Sequence, residues 1–208
     1  MSTAHVRHPE PFAPWAEIVL DAPPHMTIDD LLNWPGDSGY RYELVEGVLV
    51  RMAGSGDEAT SIGGLILTAL NVFVIPRRLG RVTGADGVYK FRGAETGLLP
   101  DVGYYVAARR TLIADRRKPI PFAPDLAVEV ASPDQTSDAR AAKARTYLSG
   151  GTRLVWVVWP TRARIDVWRP GRLASPATTL GEGDALDGED VIPGFSYPVA
   201  SVFADPLD

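Results

Sequence analysis

The chain has 208 residues, of which 45% are hydrophobic and 23% charged, with a formal net charge of −5. That length suits one domain with an arm, and that composition excludes a disordered polymer, a collagen and a coiled coil. There is no cysteine, and the histidines His5, His8 and His25 all lie in a proline-rich opening segment, so a thiolate or imidazole metal site and a Ser-His-Asp triad are excluded from the body of the fold.

Residues 1–25 are predicted to form an N-terminal arm, with Trp15 to Leu20 as an apolar patch suited to docking on the domain or on a partner subunit. Thr27 should cap a short helix with Asp29 and Asp30 in its first turn and Pro35-Gly36 as its stop. Tyr40 to Val45 and Val48 to Met52 flank the turn Glu46-Gly47 and predict a hairpin. Gly54-Ser55-Gly56-Asp57-Glu58-Ala59 fits a dinucleotide fingerprint, but Arg77, Arg78 and Leu79 stand where the ribose-binding acid belongs, so the glycines predict an ordinary loop. From Asp57 to Ile75 the apolar residues recur at helical spacing, and Pro76 should end that helix. No apolar run reaches the roughly 18 residues of a membrane span, and no signal-peptide core opens the chain, so a cytoplasmic protein is expected.

Strands are predicted at Arg81 to Ala85, Val88 to Phe91, Asp101 to Ala107, Asp125 to Ala131, Leu154 to Trp159 and Arg164 to Trp168, the last two forming a hairpin around Pro160-Thr161-Arg162. An alanine-rich helix from Ser137 to Ser149, closed by Gly150-Gly151, lies between the Asp125 and Leu154 strands. The glycine- and proline-rich C-terminal stretch should be irregular and wrap the core, with 205–208 as a tail. The whole predicts an α/β fold: a mixed sheet flanked by helices, over residues 26–204.

Charge is segregated along this order. Residues 77–118 hold 10 basic and 4 acidic groups, whereas 173–208 hold 7 acids and no base. Of the 21 cations, 18 are arginine, which suits forked phosphate contacts and equally follows from genomic base composition. Within the Asp125 strand, alternation sends Leu126, Val128 and Val130 to one face and Asp125, Ala127, Glu129 and Ala131 to the other. Glu129 is then a carboxylate in an apolar strand, and it calls for a divalent metal, an arginine salt bridge, or a solvated edge position. Lys143, one of three lysines, lies on the next helix, either aimed back at the carboxylates or on a solvated face with Arg140 and Arg145.

Five motifs in register carry a resemblance: Tyr42-Glu43-Leu44-Val45-Glu46-Gly47, Leu99-Pro100-Asp101-Val102, Pro124 to Pro133, Asp138 to Lys143 to Tyr147, and Ile192-Pro193-Gly194-Phe195. Together they resemble the Uma-type restriction endonuclease family of the PD-(D/E)XK nuclease superfamily, over about residues 26–204. The resemblance implies a restriction-endonuclease-like core, magnesium (with manganese as a substitute), DNA as partner and a homodimer. It implies Asp101, Glu129 and the Val130 carbonyl as metal ligands, and Lys143 in place of the lysine expected where Ala131 stands. Glu43 is implied to approach the metal or act as an auxiliary base. A histidine that many relatives carry at the start of the long helix is replaced here by Ala59 and Thr60. The mechanism implied is in-line attack of a metal-activated water, with Arg140, Arg145, Arg77, Arg78 and Arg81 as phosphate contacts. The rival expectation is a catalytically silent binding or scaffold protein that kept the nuclease fold.

Overall fold

A computed structural model describes residues 12–91, 95–205 and 207; the opening of the arm, with His5 and His8, and Pro206 and Asp208 of the tail lie outside the described residues. Within the arm, Glu17–Ile18 forms a short strand, β1, and Ala13 and Trp15 are buried. The arm therefore docks on the domain. Helix α1 (Ile28–Asn33) starts at a reciprocal capping box, in which Thr27 Oγ1 accepts from the Asp30 N–H and Asp30 Oδ2 accepts from the Thr27 N–H. The hairpin of β2 (Tyr40–Val45) and β3 (Val48–Ala53) turns on Glu46 and Gly47, both at positive φ, as the right-handed strand twist favours.

The long helix α2 runs from Asp57 to Arg77, two residues beyond the predicted end. Pro76 does not stop it, because in the last turn a missing N–H removes one hydrogen bond without breaking the turns before it. The stop is Arg78, which adopts the left-handed conformation with its N–H on the Ile75 and Val74 carbonyls. Strands β4 (Gly80–Thr83), β5 (Tyr89–Lys90), β6 (Gly97–Leu98), β7 (Val102–Val106) and β8 (Leu126–Val130) follow. Where they were predicted they are shorter than expected, so Asp101 lies immediately before β7 and Ala131 immediately after β8. Helix α3 (Ser137–Ser149) and strands β9 (Leu154–Trp159) and β10 (Arg164–Trp168) have the predicted bounds. The C-terminal stretch is more regular than expected, holding β11 (Thr178–Leu180), β12 (Ala185–Asp187), β13 (Ser196–Pro198) and α4 (Val199–Phe203). Its glycines and prolines fall mostly in the loops between these short elements.

The main sheet has the order β11-β10-β9-β8-β7-β4, and only the β8–β9 pair, joined through α3, is parallel. A smaller sheet has the order β1-β3-β2-β6-β5. One face of the main sheet packs Leu126, Val128, Val130 and Trp156 against Ile62, Ile66, Leu70 and Val74 of α2 and against Val199 and Val202 of α4. The other face packs Ala127, Ala131, Val155 and Val157 against Ala144, Tyr147 and Leu148 of α3, together with Val45, Val50 and Leu98 of the smaller sheet. Glu129 points into this second layer, where β2, β8 and α3 meet.

Candidate active site

Strand alternation places Arg41 and Glu43 on one face of β2, and helical spacing places Arg140, Lys143 and Tyr147 on one face of α3. These two faces converge on Glu129. Lys143 Nζ lies 3.0 Å from Glu43 Oε1 and 3.0 Å from Glu129 Oε1. Tyr147 Oη donates to Glu129 Oε1 at 2.7 Å, and Arg140 Nη1 donates to Glu129 Oε2 at 2.6 Å and, through Nη2, to Gln135. Glu43 also accepts the Leu99 N–H at 2.8 Å and the Trp15 indole N–H at 3.3 Å. All of Glu43, Glu129, Arg140, Lys143 and Tyr147 are buried, with Glu43 at 0% and Lys143 at 2% exposure. Met52 Sδ lies 3.8 Å from Lys143 Nζ, so Met52 and Trp15 both contact the cluster.

Asp101 joins the cluster through the backbone. Its Oδ2 accepts the Val130 N–H at 2.8 Å, immediately beside Glu129, and its Oδ1 pairs with Arg41 Nη1 at 2.9 Å. Arg41 also donates to the Leu99 and Ala85 carbonyls, so Leu99 gives its N–H to Glu43 and its carbonyl to Arg41. Arg41 and Asp101 are the partly exposed members, and they line a cleft of about 330 Å³ with Ser55, Thr60 and the Gly63-Gly64 face of α2.

Burial raises the Glu43 carboxyl above its ordinary value, and the Glu129 charge adds to the rise, although Lys143 opposes it. Burial would raise Glu129 as well, but the Lys143 and Arg140 cations outweigh it and hold that carboxyl below its ordinary value. Burial and the charges of Glu129 and Glu43 raise the Tyr147 phenol, which stays protonated as a donor. Three carboxylates thus meet three cations in one connected network.

The structure therefore brings together Asp101, Glu129, Lys143 and Glu43, and gives Val130 a place through its N–H. Glu129 is neither on an edge strand nor solvated, and it makes the arginine salt bridge that was one of the expectations for it. Arg140 is not on a solvated face but buried against Glu129, while Arg145 is half-buried elsewhere on α3. Arg77 folds over the Phe73 ring at 4.1 Å near the far end of α2, roughly 25 Å along the helix from Thr60 at the cleft. Arg78 and Arg81 are exposed at that same end. Residue reasoning did not assign Arg41, Gln135, Trp15 or Tyr147 a role. The two-residue step from Glu43 marks Arg41 and the four-residue step from Lys143 marks Tyr147, whereas the apolar patch that begins at Trp15 marks docking but not the bond to Glu43.

The donor chemistry of Asp101, Glu129 and the Val130 carbonyl is the hard-oxygen set that magnesium takes. The arrangement does not fit a resident ion, however: each of these carboxylates is already neutralised by a guanidinium. Among the described residues, no group of three or more His, Cys, Asp or Glu side chains is placed to hold a metal.

No curated protein matches this chain. Among solved structures, a crystal structure described as a putative nuclease belonging to DUF820 from Anabaena variabilis ATCC 29413 is similar to it. That structure has a TM-score of 0.69 and 19% sequence identity, covering 86% of this chain and 97% of the other. Its likeness concerns the fold, and the mixed α/β core expected from the sequence is present. A family model matches residues 28–200, so the chain belongs to the Uma2 family, whose description is "Putative restriction endonuclease".

Proposed function

We propose that this protein is a nuclease that hydrolyses DNA phosphodiester bonds at the Asp101–Glu129–Lys143 cluster. The observation that supports this most is the convergence of two carboxylates and one amine from separate elements: Asp101 bonded to the Val130 N–H at 2.8 Å, and Lys143 3.0 Å from Glu129. The cleft beside Asp101 is the route for a phosphate. Arg41 lines it, and its guanidinium is a cation beside which a phosphate oxygen could lie. In the closed arrangement Lys143 and Glu43 position Glu129 and are sealed beneath Trp15 and Met52. They can meet a substrate only after those contacts open. Once exposed, Lys143 is a point cation suited to charge developing on phosphate oxygens, and Glu43, with its raised pKa, is suited to accept a proton. Magnesium binding requires that Arg41 and Arg140 first release their carboxylates.

A second reading, a catalytically silent protein that keeps the nuclease fold for binding, is favoured by those same two arginine pairs. Plasmid nicking in magnesium or manganese, with wild type beside Asp101→Ala and Lys143→Ala, separates the two when thermal unfolding is followed with and without manganese. The nuclease reading expects nicking by wild type, its loss in Asp101→Ala and a manganese-dependent rise in unfolding temperature. Nicking that survives Asp101→Ala would move the chemistry elsewhere. Absence of both nicking and a manganese shift would establish the silent reading.

A further inference from the structure

Helix α2 carries no charged residue between Glu58 and Arg77. Ile62, Ile66, Leu70 and Val74 are buried on the main sheet. By length and composition alone the helix is apolar enough to cross a membrane, contrary to the expectation from the sequence, but that buried row is committed to the sheet. A second row, Leu65, Ala69 and Phe73, stays half-buried, and with Phe195 and Tyr197 on the opposite wall it lines a groove of about 480 Å³. The groove shares no lining residue with the cleft beside Asp101. Its walls are braced: Phe73 meets Phe195 edge-on with ring centroids 5.5 Å apart, and Phe195 stacks on the buried Trp156. A concave, mostly apolar site with few polar groups is the usual form of a small-molecule pocket.

We propose that this groove binds a free long-chain fatty acid, its hydrocarbon along Leu65, Ala69 and Phe73 and its carboxylate on Arg77. Shape and polar inventory name the ligand. From Leu65 to Arg77 the helix rises about 18 Å, so the groove has a mean cross-section of about 27 Å². That is too narrow for a helix, which is about 10 Å across with its side chains, and it suits one extended chain. An extended peptide brings an N–H and a C=O at each residue, whereas the groove offers only Thr68, Ser196 and Tyr197 beside Arg77, and Thr68 Oγ1 already donates to the Gly64 carbonyl. Peptide groups left unpaired against apolar walls oppose binding, and an acyl chain has none. Arg77 is the one charge in the lining. Its guanidinium lies over the Phe73 ring at 4.1 Å and gives one of its five N–H groups to the Phe73 carbonyl. No acidic side chain lines the groove, and none among the described residues pairs with Arg77. The cation therefore sits at the end of the apolar strip with donors suited to a carboxylate. The inference does not rest on the nuclease reading.

Titration calorimetry of the full chain with sodium dodecanoate, kept below its micelle concentration, tests it beside the uncharged dodecanol. Wild type should bind dodecanoate saturably at one site and prefer it to the alcohol by about threefold to tenfold, the range for a charge-assisted bond at an exposed position. Arg77→Gln should erase that preference and still bind both. Decanoate, two methylenes shorter, should bind about fivefold to fifteenfold more weakly. Ala69→Phe fills the groove floor and should abolish binding. Val72→Glu, at a position 71% exposed, keeps the fold and its circular dichroism spectrum while setting a like charge beside the carboxylate, so it should weaken dodecanoate more than dodecanol. No saturable binding by wild type would overturn the proposal, as would equal affinities for acid and alcohol, or binding indifferent to both Ala69→Phe and Val72→Glu. Co-sedimentation with phosphatidylglycerol vesicles and no binding of monomeric dodecanoate would also overturn it, since the face would then be a membrane-surface contact.

Discussion

Strand β8 has two sides that are built on different physical terms. Leu126, Val128 and Val130 enter a hydrophobic layer closed by α2, whereas Glu129, one step out of phase, enters a layer where Lys143, Arg140, Tyr147 and Glu43 meet. The apolar side gains stability in proportion to the area it removes from water, and it can absorb a volume-conserving exchange. The charged side has no such tolerance. Each of its ions was desolvated at a cost that only its partners offset, so removing one strands the others.

The comparison predicts a hierarchy of effects. Lys143→Ala leaves Glu43 and Glu129 facing each other with Arg140 as the remaining nearby cation, and it should cost about 3 to 5 kcal/mol, the range for a broken buried pair. Chemical denaturation at neutral pH measures it, and the comparison is broken if the loss is below that of a surface lysine. On the apolar side, Leu126→Ala removes a fully buried side chain and should cost about 2 to 5 kcal/mol through lost transfer energy and the cavity left behind. That loss should be the same at acidic and neutral pH, because Leu126 packs in a hydrophobic cluster and its strand partner Tyr104, pushed up to about 12, stays protonated across that range.

How much of this was legible in the sequence differs between the sides for the same reason. Period two in Leu126, Val128 and Val130 and helical spacing in α2 follow from local geometry, and the bounds of α3, β9 and β10 came out of those patterns. Local pattern also singled out Glu129 and Lys143, since a carboxylate in an apolar strand and a lysine among arginines are anomalies in their own windows. What it could not show is which charge meets which. Arg41 reaches Asp101 across 60 positions and Trp15 reaches Glu43 across 28, and pairings at such separation are set by sheet topology rather than by any short motif. The arginines that occupy the acidic pair, Arg41 on β2 and Arg140 on α3, were the least legible feature, because an arginine is solvated far more often than buried. The short C-terminal elements were missed because strands of three residues leave no periodicity to count.

The finest contrast lies within the charged side, between its two glutamates. Glu129 is held below the ordinary value of 4.5, so its contribution to stability is present above that pH and is lost as pH falls through the folded value. Glu43 is held above 4.5, so the folded state retains its proton more tightly than the unfolded chain does, and its contribution is lost as pH rises from 4.5 through the folded value. The two windows fall on opposite sides of one pH. Glu43 faces Lys143, Glu129, the Leu99 N–H on Oε1 and the Trp15 indole on Oε2, and Glu43→Gln keeps an oxygen acceptor for one of these last two donors while removing the titration. Unfolding temperatures of wild type and Glu43→Gln from about pH 3 to pH 8 should therefore run parallel below 4.5 and converge or cross above it, with the variant gaining on wild type as the native carboxyl ionises. A difference that stays constant throughout would mean that Lys143 compensates Glu43 fully, and the two glutamates would then be equivalent members of one ion network.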